Sequence, residues 1–74
     1  MGHSRDWNWA DVKAAVEKRG ESIASIARAN GLSRATLCMA KTRWSPRAQL
    51  LIARALRLRP EQIWPRRYAD RARR

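Results

Sequence analysis

Apolar residues along this chain recur at intervals of three and four, and no segment alternates with a period of two. Trp9, Val12 and Val16, with Ala15 beside them, form one stripe and predict a helix over Trp9–Lys18. Asn8 stands where a cap belongs, and Asp11 lies near the positive end of that helix. Arg19-Gly20 closes it. Ser22 can cap a second helix, Ile23 to Ala29, with Ile26 and Ala27 facing inward. Asn30-Gly31 ends that helix, and Leu32 returns to the core. Ser33 can cap a third helix from Arg34 to about Thr42, with Leu37 and Ala40 on its buried side. A fourth starts at Ser45-Pro46, with proline in the first helical position, and runs to about Leu58 along Leu50, Leu51, Ala55 and Leu58. Arg59-Pro60 breaks it; a short turn, Glu61 to Trp64, follows, and Pro65 is expected to stop that turn. The pattern predicts an all-α bundle of four to five helices with no sheet.

The break at "ANGLSRATL" is the informative one. Two short helices joined by a tight glycine turn, the second capped by serine, describe a helix-turn-helix. Ala27 lies four residues before Gly31, where a small side chain lets the helices approach. Asn30 departs from the pattern, because a hydrophobic residue is more usual there. An ordinary helical hairpin has a similar outline, so the fold alone does not assign a ligand.

Size narrows the picture. Seventy-four residues make one domain near the lower limit for a self-sufficient core. Cys38 is the single cysteine, which excludes an internal disulfide, and it reads as a structural thiol. The rings of Trp7, Trp9, Trp44, Trp64 and Tyr68 are assigned to the core or its edge. A flexible N-terminus is expected over 1–6, the helix-turn-helix domain over 7–68 and a basic flexible tail over 69–74.

Charge then selects the partner. Seventeen Lys and Arg face six Asp and Glu, a net of +11. No acid occurs from Ser22 to Pro60, a stretch holding Arg28, Arg34, Lys41, Arg43, Arg47, Arg54, Arg57 and Arg59. Such a block suits a polyanion, because each neutralised phosphate releases counterions. Nothing in the sequence supports catalysis: no histidine beside a nucleophile, no metal-ligand cluster, no phosphate-cradling glycine loop. No cofactor, metal or small-molecule ligand is expected. The most apolar stretch, AQLLIARAL, is too short to span a bilayer, and no export signal is read, so a cytoplasmic, nucleoid-associated location is expected.

The chain resembles the Ner family, small DNA-binding regulators of Mu-like phages and their bacterial relatives. The resemblance rests on "RDWNWADV", "SIASIARANGLSRATL", "WSPRAQLLIARAL" and "RPEQIWPRRY", in that order, from about Arg5 to Tyr68. It implies a repressor-like fold and binding to operator DNA as a transcriptional regulator. The third helix and the Arg-rich tail depart from the family pattern.

A helical wheel then names the candidates. Arg34, Ala35, Cys38, Met39 and Thr42 lie opposite Leu37 and Ala40, with Ser33 at the leading end; these six are the expected base-reading residues. Arg34 is the leading candidate, since its fork matches guanine O6 and N7. Ser22, Arg28, Lys41, Arg43 and Arg47 are the expected phosphate contacts. The expected partner is double-stranded DNA, with a homodimer on DNA left open. The alternative is a protein-interaction module or antirepressor that uses the same fold without binding DNA.

Overall fold

The computed structural model describes residues 5–72. Six helices follow one another: α1 (Trp9–Lys18), α2 (Ile23–Ala29), α3 (Arg34–Cys38), α4 (Pro46–Ala55), α5 (Pro60–Ile63) and α6 (Pro65–Ala72). A 3-10 turn, Met39–Lys41, continues directly from α3. No strand occurs among the described residues. None of the described helices is long and apolar enough to cross a membrane.

Local sequence chemistry sets most boundaries. The side chains of Asn8, Ser22 and Ser33 accept hydrogen bonds from the amides of Asp11, Ser25 and Thr36 at 2.8, 3.0 and 3.1 Å. Each satisfies an amide that the first turn of a helix leaves free. At the other ends, α1, α2 and α4 close by the same double-bonded exit. The amide of Leu32 reaches back to the Ala27 carbonyl at 2.8 Å, and that of Gly31 to Arg28 at 3.2 Å. Glu21 and Gly20 repeat this on Val16 and Glu17, and Leu58 and Arg57 on Ala53 and Arg54. The pivot of each exit is left-handed: Gly20 at φ +77°, Gly31 at +69° and Arg57 at +59°. Arg57 therefore occupies a conformation that costs an L-residue about 1–2 kcal/mol.

The core joins Val12 and Val16 of α1, Ile23, Ile26 and Ala27 of α2, Leu37 of α3 and Ala40 of the 3-10 turn. Ala48, Ile52 and Ala53 of α4, Leu56, Ile63 and Trp64 complete it. Of the rings, only Trp64 is fully buried; Trp7, Trp9 and Tyr68 pack partly against the core.

Four expectations are corrected. The α-helix expected to reach Thr42 ends at Cys38 and tightens into the 3-10 turn. The fourth helix stops at Ala55, and its buried stripe is Ala48, Gln49, Ile52 and Ala53. Leu50, assigned to the core from the sequence, is 45% exposed. The reason is that the small side chains of Ala48 and Ala53 flank Ile52 in the core, with Gln49 wholly buried beside them and its Nε2 donating to the Arg43 carbonyl at 3.4 Å. Finally, Pro65 does stop the short α5, as expected, but it also opens α6, which brings the helices among the described residues to six against the four to five expected.

The N-terminal segment straps this last pair of helices in place. The Trp7 amide donates to the Ile63 carbonyl at 2.9 Å. Asp6 Oδ1 accepts from the amides of Arg66 at 2.8 Å and Arg67 at 3.4 Å, so Asp6 caps α6 from sixty residues away. A local cap is not available there, because the residue before Pro65 is Trp64, which carries no side-chain acceptor. The flexible N-terminus expected over 1–6 includes Asp6, which is bonded to α6; residues 1–4 lie outside the described residues. The boundary expected at Ala69 falls inside α6, and Arg73 and Arg74 of the expected tail also lie outside the described residues.

Two stability outcomes follow. Asp6→Ala should cost about 1 kcal/mol, as loss of a helix cap does, and Asp6→Asn should retain most of it. Arg57→Gly should raise stability by about 0.5–1 kcal/mol, the relief of left-handed strain less the entropy glycine adds to the unfolded chain. Thermal denaturation reads both; an unchanged melting temperature for Asp6→Ala would remove the strap from the account of stability.

Candidate nucleic-acid interface

The α2–α3 pair is held by contacts that leave one face of α3 free. Ala27, four residues before Gly31, is 1% exposed and packs as a small side chain in the core. Asn30, the residue out of pattern, is explained by its side chain: Nδ2 donates to the Ile26 carbonyl at 2.8 Å and satisfies the frayed end of α2. Gly31 has open space where a Cβ would sit, so its requirement is the left-handed turn alone.

Leu37 and Ala40 are fully buried and set the rotation of the α3 segment. Ser33, Arg34, Ala35 and Thr36 are exposed along its first turn. Met39 is exposed at 39%, so it does not fold back on the core. Cys38 is half-buried and packs against the core, which leaves only part of it on the outer face. Thr42 sits beyond the 3-10 turn with its amide on the Met39 carbonyl at 3.3 Å. It is exposed, but a residue in a 3-10 turn advances further around the axis than the wheel assumed.

Sequence reasoning missed Thr36. Its hydroxyl lies 2.9 Å from that of Ser33, so the two form one polar pair at the start of α3. Ser33 is therefore a cap and a pair member at once. The signal was present as the S-x-x-T spacing.

The expected phosphate contacts do not form one cluster. Ser22 and Arg34 border a shared cleft with Lys13, a cation that was not singled out from the sequence, and with Glu17. Ser22 is also engaged in a reciprocal cap with Ser25, whose hydroxyl donates to Glu21 Oε1 at 2.7 Å. These carboxylates compete with an anion at this end of α2. Arg28 lies on the last turn of α2, Lys41 and Arg43 follow α3, and Arg47 lies on the first turn of α4; all four are exposed. None of these cations has a carboxylate within salt-bridge distance among the described residues, where Arg67–Asp6 is the ion pair present, at 4.0 Å.

Arg67 closes the far end of the segment. Its Nη1 donates to the carbonyls of Ala40 at 2.7 Å and Arg43 at 3.3 Å, and its Nη2 to Lys41 at 3.5 Å. Its guanidinium carbon also lies 5.6 Å from the Trp64 ring centre. The Arg43 carbonyl thus receives Gln49 from α4 and Arg67 from α6. A positive group on the last carbonyls of a helical segment is favourable both as donor and as charge. Beside it, Trp44 meets Tyr68 edge-on at 4.8 Å. Burial pushes the Tyr68 phenol above its usual value of 10.0, Glu61 adds to this, and Arg67 opposes it, so the phenol stays protonated at neutral pH.

The arrangement is a short helix fixed at both ends, with an exposed polar and apolar face and cations around it. Residues 6–74 match a family described as winged helix-turn-helix DNA-binding. The chain is 46% identical over 65 residues to the sugar fermentation stimulation protein B of Escherichia coli (strain K12), covering 88% of this chain and 71% of that protein. It is 43% identical over 65 residues to the negative regulator of transcription of Escherichia phage Mu, covering 88% and 87%. The solution structure of the Mu Ner protein superposes with a TM-score of 0.78 at 41% identity, over 92% of each chain.

Proposed function

This chain belongs to the Ner family of helix-turn-helix DNA-binding proteins, and on that premise we propose that it regulates transcription negatively by occupying specific duplex sites through α3. The observation that carries the reading is the exposed face of α3, held rigidly by Leu37 and Ala40 beneath and flanked by cations without carboxylate partners. A domain this small acts by occupancy: once seated in the groove, it denies those base pairs to other proteins.

In this reading Ser33, Arg34, Ala35, Cys38, Met39 and Thr42 meet base edges, and Thr36 joins them. Arg34 pairs with guanine through its fork, while Ala35 and Met39 offer apolar surface to thymine methyls. Arg28, Lys41, Arg43, Arg47 and the Ser22 end of α2 hold phosphates on either side, with Lys13 added beside Arg34. Two copies on adjacent half-sites, as a homodimer on DNA, would match the usual spacing of helix-turn-helix pairs, about 34–36 Å. Duplex binding would hold the protein on the nucleoid.

Selection of bound sites from random duplexes, followed by anisotropy titration over a salt series, tests the reading. A specific site should emerge, and affinity should fall steeply with salt. A fold that serves only as a protein-interaction module would ignore DNA at every salt concentration. Arg34→Ala should cost about 1–3 kcal/mol on the selected site and relax preference at one base pair. Arg43→Ala should weaken all duplexes alike and flatten the salt slope by about 1. Equal losses on selected and random DNA for Arg34→Ala would remove that residue from base reading.

A further inference from the structure

Among the exposed cations outside the proposed interface, one is seated on an aromatic ring. Trp44 lies directly after Arg43, and the Arg71 guanidinium carbon stands 4.7 Å from the centre of its ring. We propose that Arg71, seated on Trp44 with Arg43 beside it, is a second, base-blind contact to the same duplex and binds a backbone phosphate beyond the end of the reading segment. The proposal rests on the DNA reading of α3 and adds α6 to the contact surface.

Placement comes first. The three carbonyls gripped by Arg67 belong to Ala40, Lys41 and Arg43, so the first turn of α6 abuts the end of the α3 segment. The cap from Asp6 fixes where that turn begins. Arg71 is four residues beyond Arg67 and shares its face of the helix, one turn further out. An element lying past the end of a groove-entering helix meets the wall of the groove, and the wall is phosphate.

The two arginines differ in what they have left to offer. Arg67 directs its Nη atoms at backbone carbonyls, sets its Nε toward Asp6 and lies over Trp64. It is a positioning residue, committed to three backbone carbonyls. Arg71 is exposed and lies over a ring, and no carboxylate is within salt-bridge distance of it among the described residues. A guanidinium resting on a ring gives its face to the π-system and keeps its N–H edge for an acceptor. The ring itself is braced by Tyr68, edge-on at 61°. The stack also holds a long side chain near one direction, which lowers the ordering cost of a phosphate contact.

The test compares the whole protein with Arg71→Gln and Arg71→Lys on the selected duplex and on a random duplex across a salt series. Arg71→Gln should weaken both by the same factor, roughly five- to tenfold at about 0.1 M salt, and reduce the salt slope by about 1. The ratio of selected to random affinity should not move, and the fold should stay intact, with a melting temperature lower by no more than a few degrees from loss of the stack on Trp44. Arg71→Lys should recover the slope. Unchanged affinity and slope for Arg71→Gln, with wild-type binding intact, would overturn the proposal. So would a loss confined to the selected duplex, which would make Arg71 a base reader. Absence of duplex binding by the wild type would overturn the α3 reading and this proposal together, whereas normal Arg34→Ala behaviour with a silent Arg71→Gln would overturn this proposal alone.

Discussion

One carboxylate joins the two sides of this domain. Asp6 accepts the first amides of α6, and Arg67 on that same turn grips the carbonyls that end the α3 segment. The reading helix is therefore held from behind by a helix nearly thirty residues further along, which is itself held by the segment preceding α1. In a chain with one cysteine and a small core, such long-range polar ties do work that larger domains leave to buried area. They also explain why a five-residue α3 is ordered at all: alone it is far below the length at which helices persist in water.

What could be read from the sequence divides along the same line. The caps at Asn8, Ser22 and Ser33, the left-handed turn at Gly31 and the limits of α1 and α2 depend on residues within a few positions of one another, and the sequence displays them. The features that escaped are non-local. Asp6 has no helix of its own to cap, Gln49 donates to a carbonyl six residues earlier, and Arg67 grips carbonyls more than twenty residues before it. Leu50 and Leu51 drew the fourth helix's stripe toward themselves, although Ala48 and Ala53 permit the closer packing. Pro65 was legible as punctuation, but a proline after Trp64 can open a helix as well as end one, and only the distant carboxylate decides which.

For the interface, the sequence displayed the exposed arc of α3 and the charge around it, but not its partition. Cys38 faces partly inward, Thr36 pairs with Ser33, and the cations sit on three separate elements. The acid-free stretch from Ser22 to Pro60 suggests a uniform positive face. The folded chain instead returns Glu17 to the Ser22 end, beside Lys13 and Arg34.

The shift from α-helix to 3-10 turn at Met39 has a consequence for information. Five α-helical residues and three tighter ones make a rod of roughly 13–14 Å, about the width of a major groove. A rod that short can inspect only a few neighbouring base pairs. A word of about four letters recurs by chance every few hundred base pairs, against the roughly 10⁶–10⁹ competing positions of a genome. One copy therefore cannot name a unique address. On the reading proposed for α3, the missing letters would come from a neighbouring copy or from the stiffness and shape of the DNA between words.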